Sequence, residues 1–228
     1  MTRMVFCDLD GTLLPAGKKS IGKAVLTEIK RLLNKGVIFA VASGRSYDEL
    51  KALFGELSGR VVFICLDGAL AIHRDCVLYK NRLCKIEAGR LISLSPRAVA
   101  YGRTKSISFD ENTNSALREQ LLNTLGSEVF KVAVFDTPKK SSIARVCYNR
   151  DGICEYVNHS ADKGAAARAI MQKFCVAAED TVGIGDGEND LQLLTAVGRA
   201  YKMEKCHSAL CDVKAETVGD IVGFLKNI

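Results

Sequence analysis

The sequence has no long apolar run, no C-x-x-C pair, no cationic tract, no internal repeat and no low-complexity linker. Each absence excludes a class. No apolar stretch approaches the roughly 20 residues needed to span a bilayer, so no membrane helix is expected. Asp8 and Asp10 interrupt the N-terminal apolar stretch, so a secretory signal is not expected either. The nine cysteines are odd in number, and Cys7, Cys65 and Cys175 sit in apolar runs, where a thiol behaves as a small hydrophobe. A disulfide framework is therefore not indicated, and a reducing, cytoplasmic location fits. Cys206, His207 and Cys211 lack a second ligand pair at zinc spacing. Lys and Arg number 32 against 26 Asp and Glu, a formal net charge of +6, but they are dispersed. A nucleic-acid partner is not indicated, and the mild positive bias suits small anions. What is present is an ordinary globular composition over 228 residues, 48% hydrophobic and 25% charged. That length supports one large domain or two small ones with a core that needs no staples.

The N-terminal pattern alternates strand and helix. Residues 4–7 read as a short buried strand. Residues 20–34 carry apolar positions at helical spacing, with Ser20 available as a cap and Gly36 as a stop. The continuous apolar runs 37–42 and 61–66 read as strands buried on both faces. Between them, Ser46 and Glu49 make a capping box ahead of a helix lined by Leu50, Leu53, Phe54 and Leu57. This is the pattern of a parallel sheet with helices on both faces. A hairpin around Arg74-Asp75 follows. Residues 83–159 then change character: helices near 85–93 and 115–125 mix with strands near 99–101, 106–109, 130–135, 144–148 and 154–157, an α+β insert. The α/β pattern resumes with a helix over 165–174, a strand over 181–184 and a helix from Asp190.

Polar residues collect where strands end or helices begin: Asp8 and Asp10, Ser43, Lys163, and Asp186 with Asn189 and Asp190. In open α/β sheets ligands bind beyond the carboxyl ends of the strands, so these segments can converge on one crevice. Asp8, at the end of a buried strand, is a partly desolvated anion that needs a partner. Residues i and i+2 of a strand point the same way, so Asp8 and Asp10 would face one centre. Gly11 permits a close turn whose backbone N–H groups can bind an anion. The plainer reading of this stretch is a turn with capping aspartates. Asp186, Glu188 and Asp190 add acidic groups suited to a hard cation, and magnesium takes one or two carboxylates plus phosphate and water. The plainer reading there is a glycine-rich turn capped by Asn189 or Asp190, and the two roles are compatible. Lys163 opens a helix, where its charge opposes the helix dipole, so local stability does not explain it; a solvated lysine is the alternative. Ser43 can donate to a phosphoryl oxygen or serve a turn with Gly44.

Taken together, these segments resemble the haloacid dehalogenase superfamily of phosphohydrolases. Asp8-Leu9-Asp10-Gly11-Thr12 matches the first motif, Ser43 in the run Val41 to Arg45 the second, Lys163 in the run Asp162 to Ala167 the third, and Asp186 to Asp190 the fourth. The order and spacing are closest to the Cof-like subgroup, whose α+β cap of the IIB type lies between the second and third motifs. The resemblance implies a Rossmann-like core over 1–82 and 160–228, and a cap over 83–159 with hinges near 82–85 and 158–162. It implies a Mg²⁺-dependent phosphatase acting on small phosphate esters, sugar phosphates or related compounds. Asp8 would attack phosphorus, and Asp10 would protonate the leaving alcohol and then activate water. Asp8, the Asp10 carbonyl and Asp186 would hold Mg²⁺. Lys163 and Ser43 would hold phosphoryl oxygens, with Leu9, Gly11, Thr12, Gly44, Arg45 and Asn189 lining the substrate site. Asp190 would support these groups from behind. Arg45 has an equally plain reading as a surface ion pair.

Two positions depart from the subgroup pattern: Asp67-Gly68 stands where Asn-Gly is usual, and Met203-Glu204-Lys205 where Gly-Asn-Ala is usual. The insert is also shorter than usual. A phosphomutase of the phosphomannomutase type and a noncatalytic phosphate binder remain alternatives. Oligomeric state is not legible.

Overall fold

The computed structural model describes residues 1–228, apart from the side chain of Arg150. In chain order it opens with β1 (Met4–Asp8), α1 (Lys23–Asn34), β2 (Ile38–Ala42), α2 (Tyr47–Phe54) and β3 (Val62–Cys65). The hairpin β4 (Leu70–His73) and β5 (Cys76–Lys80) turns through Arg74 and Asp75, both at positive φ. The insert contains α3 (Lys85–Ser93), β6 (Ala98–Tyr101), β7 (Ser106–Phe109), α4 (Ser115–Asn123), β8 (Lys131–Val134), β9 (Ala144–Arg150) and β10 (Ile153–Asn158). The chain returns through α5 (Lys163–Lys173), β11 (Thr181–Gly185), α6 (Leu191–Ala196), β12 (Arg199–Met203), β13 (Glu216–Val218) and α7 (Ile221–Lys226). It divides into two compact units, Met1–Tyr79 with Asp162–Ile228, and Lys80–Ala161. Among the described residues no helix is long and apolar enough to cross a membrane.

The first unit is built on a sheet ordered β13-β12-β11-β1-β2-β3-β4-β5. Strands β11, β1, β2 and β3 run parallel, and β4 returns antiparallel to β3. Side-chain alternation sends Met4, Phe6, Val62 and Ile64 to the face covered by Ala166, Ala167 and Ile170 of α5. Phe63 points the other way, edge-on to Tyr47 and Phe54 of α2. Both faces are covered, which is why these strands read as unbroken apolar runs. Register then fixes the polar ends: Asp8 lies beside Ala42, and Cys7 beside Ile184. Asp8, Ser43 and Asp186 therefore leave the sheet at nearly the same level.

Local details differ from the sequence expectations at the start of the first helix and beyond α6, and α6 itself starts at Leu191 behind Asp190, with no side-chain cap bond. The first helix starts at Lys23 behind Gly22, with no side-chain cap, so Ser20 does not cap it. The extended chain ahead of the helix buries Ile21, which sequence periodicity had joined to the helical stripe. Beyond α6 the structure adds β12, β13 and α7, elements that carry little sequence signal. Arg31 of α1 donates to the carbonyls of Leu225 and Lys226, satisfying the end of α7.

The second unit is an antiparallel sheet ordered β7-β6-β8-β10-β9. One face packs on its two helices: Ala98, Ala100, Val132, Val134, Cys154 and Tyr156 meet Leu91, Ile92 and Leu122. Arg118 of α4 donates to the carbonyls of Ile92, Ser95, Pro96, Asp110 and Thr113, which ties the helical layer to the loops around it.

Candidate active site

At the carboxyl ends of the central strands, Lys163 is the organising residue. Asp162 caps α5 by accepting from the Ala165 amide at 2.6 Å, so the helix start is satisfied without the lysine. The Lys163 side chain is 1% exposed and its ammonium donates to Asp8 Oδ1 and Asp190 Oδ1, each at 2.6 Å. Burial alone would lower the ammonium pKa. Asp190, Asp8 and Asp67 overcome that and push it up, so the lysine stays charged.

The carboxylates respond in the opposite sense. Asp8 is pushed well above the usual carboxylate range, first by burial and then by Asp190, with Lys163 opposing. Asp186 is also raised, by burial and Asp190, while its hydrogen bond from Thr12 opposes. Among the described residues, Asp8 Oδ2 is a buried carboxylate oxygen with no hydrogen-bond partner. Ligand oxygens of Asp8, Asp186 and Asp190 lie within 4.8 Å of one another. An unsatisfied oxygen beside further carboxylates fits a hard divalent cation, which takes oxygen ligands and offsets the repulsion that adds to burial in raising these pKa values. Asp190 is the least available of the three. Its Oδ1 meets Lys163, and its Oδ2 accepts from the amides of Asp186 and Gly187 at 3.0 and 2.9 Å. It fixes the lysine and the loop that presents Asp186.

The turn after β1 differs from the expected arrangement. The strand ends at Asp8, so the i, i+2 argument does not carry to Asp10. Asp10 is half-exposed, and its carboxylate is taken by Arg45: Nε donates to Oδ2 at 2.9 Å and Nη2 to Oδ1 at 2.6 Å. Ser43, itself buried, donates to Asp10 Oδ2 at 3.4 Å and accepts from the Arg45 amide at 3.2 Å. The Gly11 amide donates to the Leu14 carbonyl and the Thr12 amide to the Leu9 carbonyl. Those two N–H groups hold the turn together, contrary to the expectation that they would be free to bind an anion. What Gly11 supplies is room. Its φ is +97°, and a Cβ there would lie 2.1 Å from Asp186 Oδ2. Thr12 is buried and donates to Asp186 Oδ1 at 3.0 Å, and Leu9 is fully buried.

Asp67 joins this group from the end of β3. It is buried at φ +55°, and Asn189 Nδ2 donates to its Oδ1 at 3.0 Å. A Cβ on Gly44 would come within 3.0 Å of Asp67 Oδ2, and one on Gly68, at φ +89°, within 2.1 Å of the Asp162 carbonyl. The sequence marked Asp67 as a departure and gave no sign of its pairing with Asn189, which requires the fold. The His207 amide, donating to the Asp186 carbonyl at 2.7 Å, was equally unmarked. His207 Nδ1 accepts from the Ala209 amide, so its ring closes a local turn.

A family model described as haloacid dehalogenase-like hydrolase matches residues 5–147 and 103–219. The HMP-PP phosphatase of Escherichia coli K12 is 24% identical over 271 residues, an alignment covering all of this chain and 92% of the relative. TM0651 from Thermotoga maritima has the same fold, with a TM-score of 0.82 at 21% identity, covering 100% of this chain and 98% of the other. The HAD subclass IIB sugar phosphatase BT4131 superposes with a TM-score of 0.76 at 17% identity, covering 98% and 95%. With the family match running from residue 5 to residue 219, this chain belongs to the haloacid dehalogenase-like hydrolases.

Proposed function

We propose that the chain is a Mg²⁺-dependent phosphatase that hydrolyses small phosphorylated metabolites, sugar phosphates or related phosphomonoesters, through an aspartyl phosphate on Asp8. The observation that carries this reading is the unsatisfied, buried Asp8 Oδ2 beside Asp186, with Oδ1 of the same carboxylate bonded to Lys163. An anion buried in this way is poorly stabilised as a structural element. It is well arranged as a nucleophile, with one oxygen held by Lys163 and the other left for a cation to offset. The printed name of one relative, HMP-PP phosphatase, supports a small phosphorylated substrate.

Asp8 and Asp186, with the Asp10 backbone carbonyl, would hold Mg²⁺, which when bound supplies charge neutralisation at the phosphoryl oxygens. Asp8 attacks phosphorus, and the bond from phosphorus to the ester oxygen breaks. Asp10 gives its proton to the departing alkoxide. Asp10 then takes a proton from water, whose oxygen attacks the aspartyl phosphate at phosphorus. Inorganic phosphate leaves and the Asp8 carboxylate returns. Lys163 stays protonated throughout and steadies Asp8 and the phosphoryl group. Ser43 and Gly44 would line the substrate site with Arg45, and Asn189, which donates to Asp67, would join them. We assign the unit Lys80–Ala161 as the cap, and the remainder as the catalytic core. The test is phosphate release from a panel of phosphorylated metabolites, with Mg²⁺ and with chelator, using Asp8→Asn as the blank. Release that needs Mg²⁺ and disappears in the variant is expected. Release retained by Asp8→Asn would remove the nucleophile assignment.

A further inference from the structure

We infer that Arg45 is a positioning residue for Asp10, fixing the carboxylate that handles protons, and not a clamp on the substrate phosphate. The inference rests on the proposed phosphatase reading and deepens it. Asp10 needs such a partner because β1 has already ended and the strand no longer orients its side chain. The carboxylate is half-exposed, and an unrestrained aspartate there would rotate about its side-chain bonds. Arg45 closes a planar fork on it, with Nε on one oxygen and Nη2 on the other. A two-point contact sets the plane of the carboxylate as well as its distance, which a single hydrogen bond does not.

The base of the fork is itself fixed. The Arg45 carbonyl accepts from the Leu66 amide at 3.0 Å, and the Arg45 amide donates to Ser43 Oγ. Ser43 is tied to the end of β3 through its amide to the Ile64 carbonyl, and through its carbonyl to the Asp67 amide. Ser43 Oγ adds a third contact on Asp10 Oδ2. The segment from Ser43 to Arg45 thus carries the order of the sheet across to a residue that lies outside it.

The experiment is steady-state hydrolysis of p-nitrophenyl phosphate with Mg²⁺ by wild type, Arg45→Ala and Arg45→Lys, with thermal midpoints as a folding control. A residue acting through the acid–base group lowers kcat and leaves substrate binding alone. Arg45→Ala should lose about 10- to 100-fold in kcat, part of what a general acid or base contributes, with KM changed less than about threefold. Arg45→Lys should fall between the two, since it keeps the charge without the fork. A rise in KM at unchanged kcat would overturn the inference in favour of a phosphate clamp. Unchanged kinetics in both variants would overturn it outright. Absence of hydrolysis by wild type would remove the phosphatase reading and this inference together, whereas wild-type hydrolysis with either contrary pattern removes this inference alone.

Discussion

Each unit of the molecule buries a lysine, and the two are buried for different reasons. In the inserted unit, Lys131 is 3% exposed, donates to Glu155 at 2.8 Å and lies over the Tyr101 ring at 5.2 Å. A cation facing a carboxylate and an aromatic face is a structural arrangement. In the core, Lys163 faces Asp8 and Asp190, with Asp186 close by and one Asp8 oxygen unsatisfied. Negative charge exceeds positive at the core centre. Packing does not call for that excess, and folding proceeds in spite of it. Excess charge at a strand end marks a site prepared for a ligand that completes it.

The comparison sharpens if each lysine and its partners are altered in turn. The largest effect is expected at Asp8. Asp8→Asn should cut phosphate release on the order of a thousandfold or more, as removal of a nucleophile does. In chelator its thermal midpoint should equal or exceed that of wild type. The sign follows from the raised Asp8 pKa: the folded state disfavours the ionised carboxyl, so stability falls as pH rises above the unfolded value, and an amide removes that loss. A clear fall in the Asp8→Asn midpoint would contradict the view that this charge opposes folding.

Next comes Lys163→Met, which leaves Asp8 and Asp190 facing each other with no cation. Urea unfolding should show a loss of about 3–5 kcal/mol, the cost of stranding a buried charge. Lys131→Met should cost less, about 1–3 kcal/mol, because Glu155 is partly exposed and can turn to water. If the two losses are equal, the contrast drawn between the lysines is wrong. The smallest effect is expected at Glu87, whose pKa is lowered chiefly by hydrogen bonding from Arg90, against burial. A lowered carboxyl pKa adds stability above the unfolded value near 4.3, and that stability is lost as pH falls toward the folded one. Arg90 is well exposed, so Glu87→Gln should remove only about a few tenths of a kcal/mol at neutral pH, with no difference from wild type in acid.

The parts of the molecule that were legible in the sequence share a cause. β1, β2 and β3 are covered on both sides, so their apolar runs are continuous, and a polar residue stands at or within two residues of each strand end: Asp8, Ser43 and Asp67. The positive-φ pair Arg74 and Asp75 was equally plain as a hairpin turn. β12 is only half-buried, and β13 and α7 are 3 and 6 residues long, too short for a period to develop. At the site, Asp8, Lys163 and Asp190 converge as their positions at element ends implied. The local Ser46–Glu49 capping box was legible, but most partnerships between side chains distant in sequence were not. The fork from Arg45 to Asp10 spans 35 residues, and the bond from Asn189 to Asp67 spans 122. No local pattern encodes such pairs, and the strand alternation offered for Asp8 and Asp10 does not carry between them, because β1 ends at Asp8, two residues short of Asp10.

The measurement that most directly tests the account is the fate of the phosphoryl group on the enzyme. Wild type mixed with radiolabelled p-nitrophenyl phosphate and Mg²⁺, then quenched in acid, should carry label on the peptide containing Asp8. That label should be released by alkali or hydroxylamine, as an acyl phosphate is. Turnover with no labelled protein at any quench time, or label on another residue, would contradict the claim that the excess charge at this centre serves Asp8 as a nucleophile.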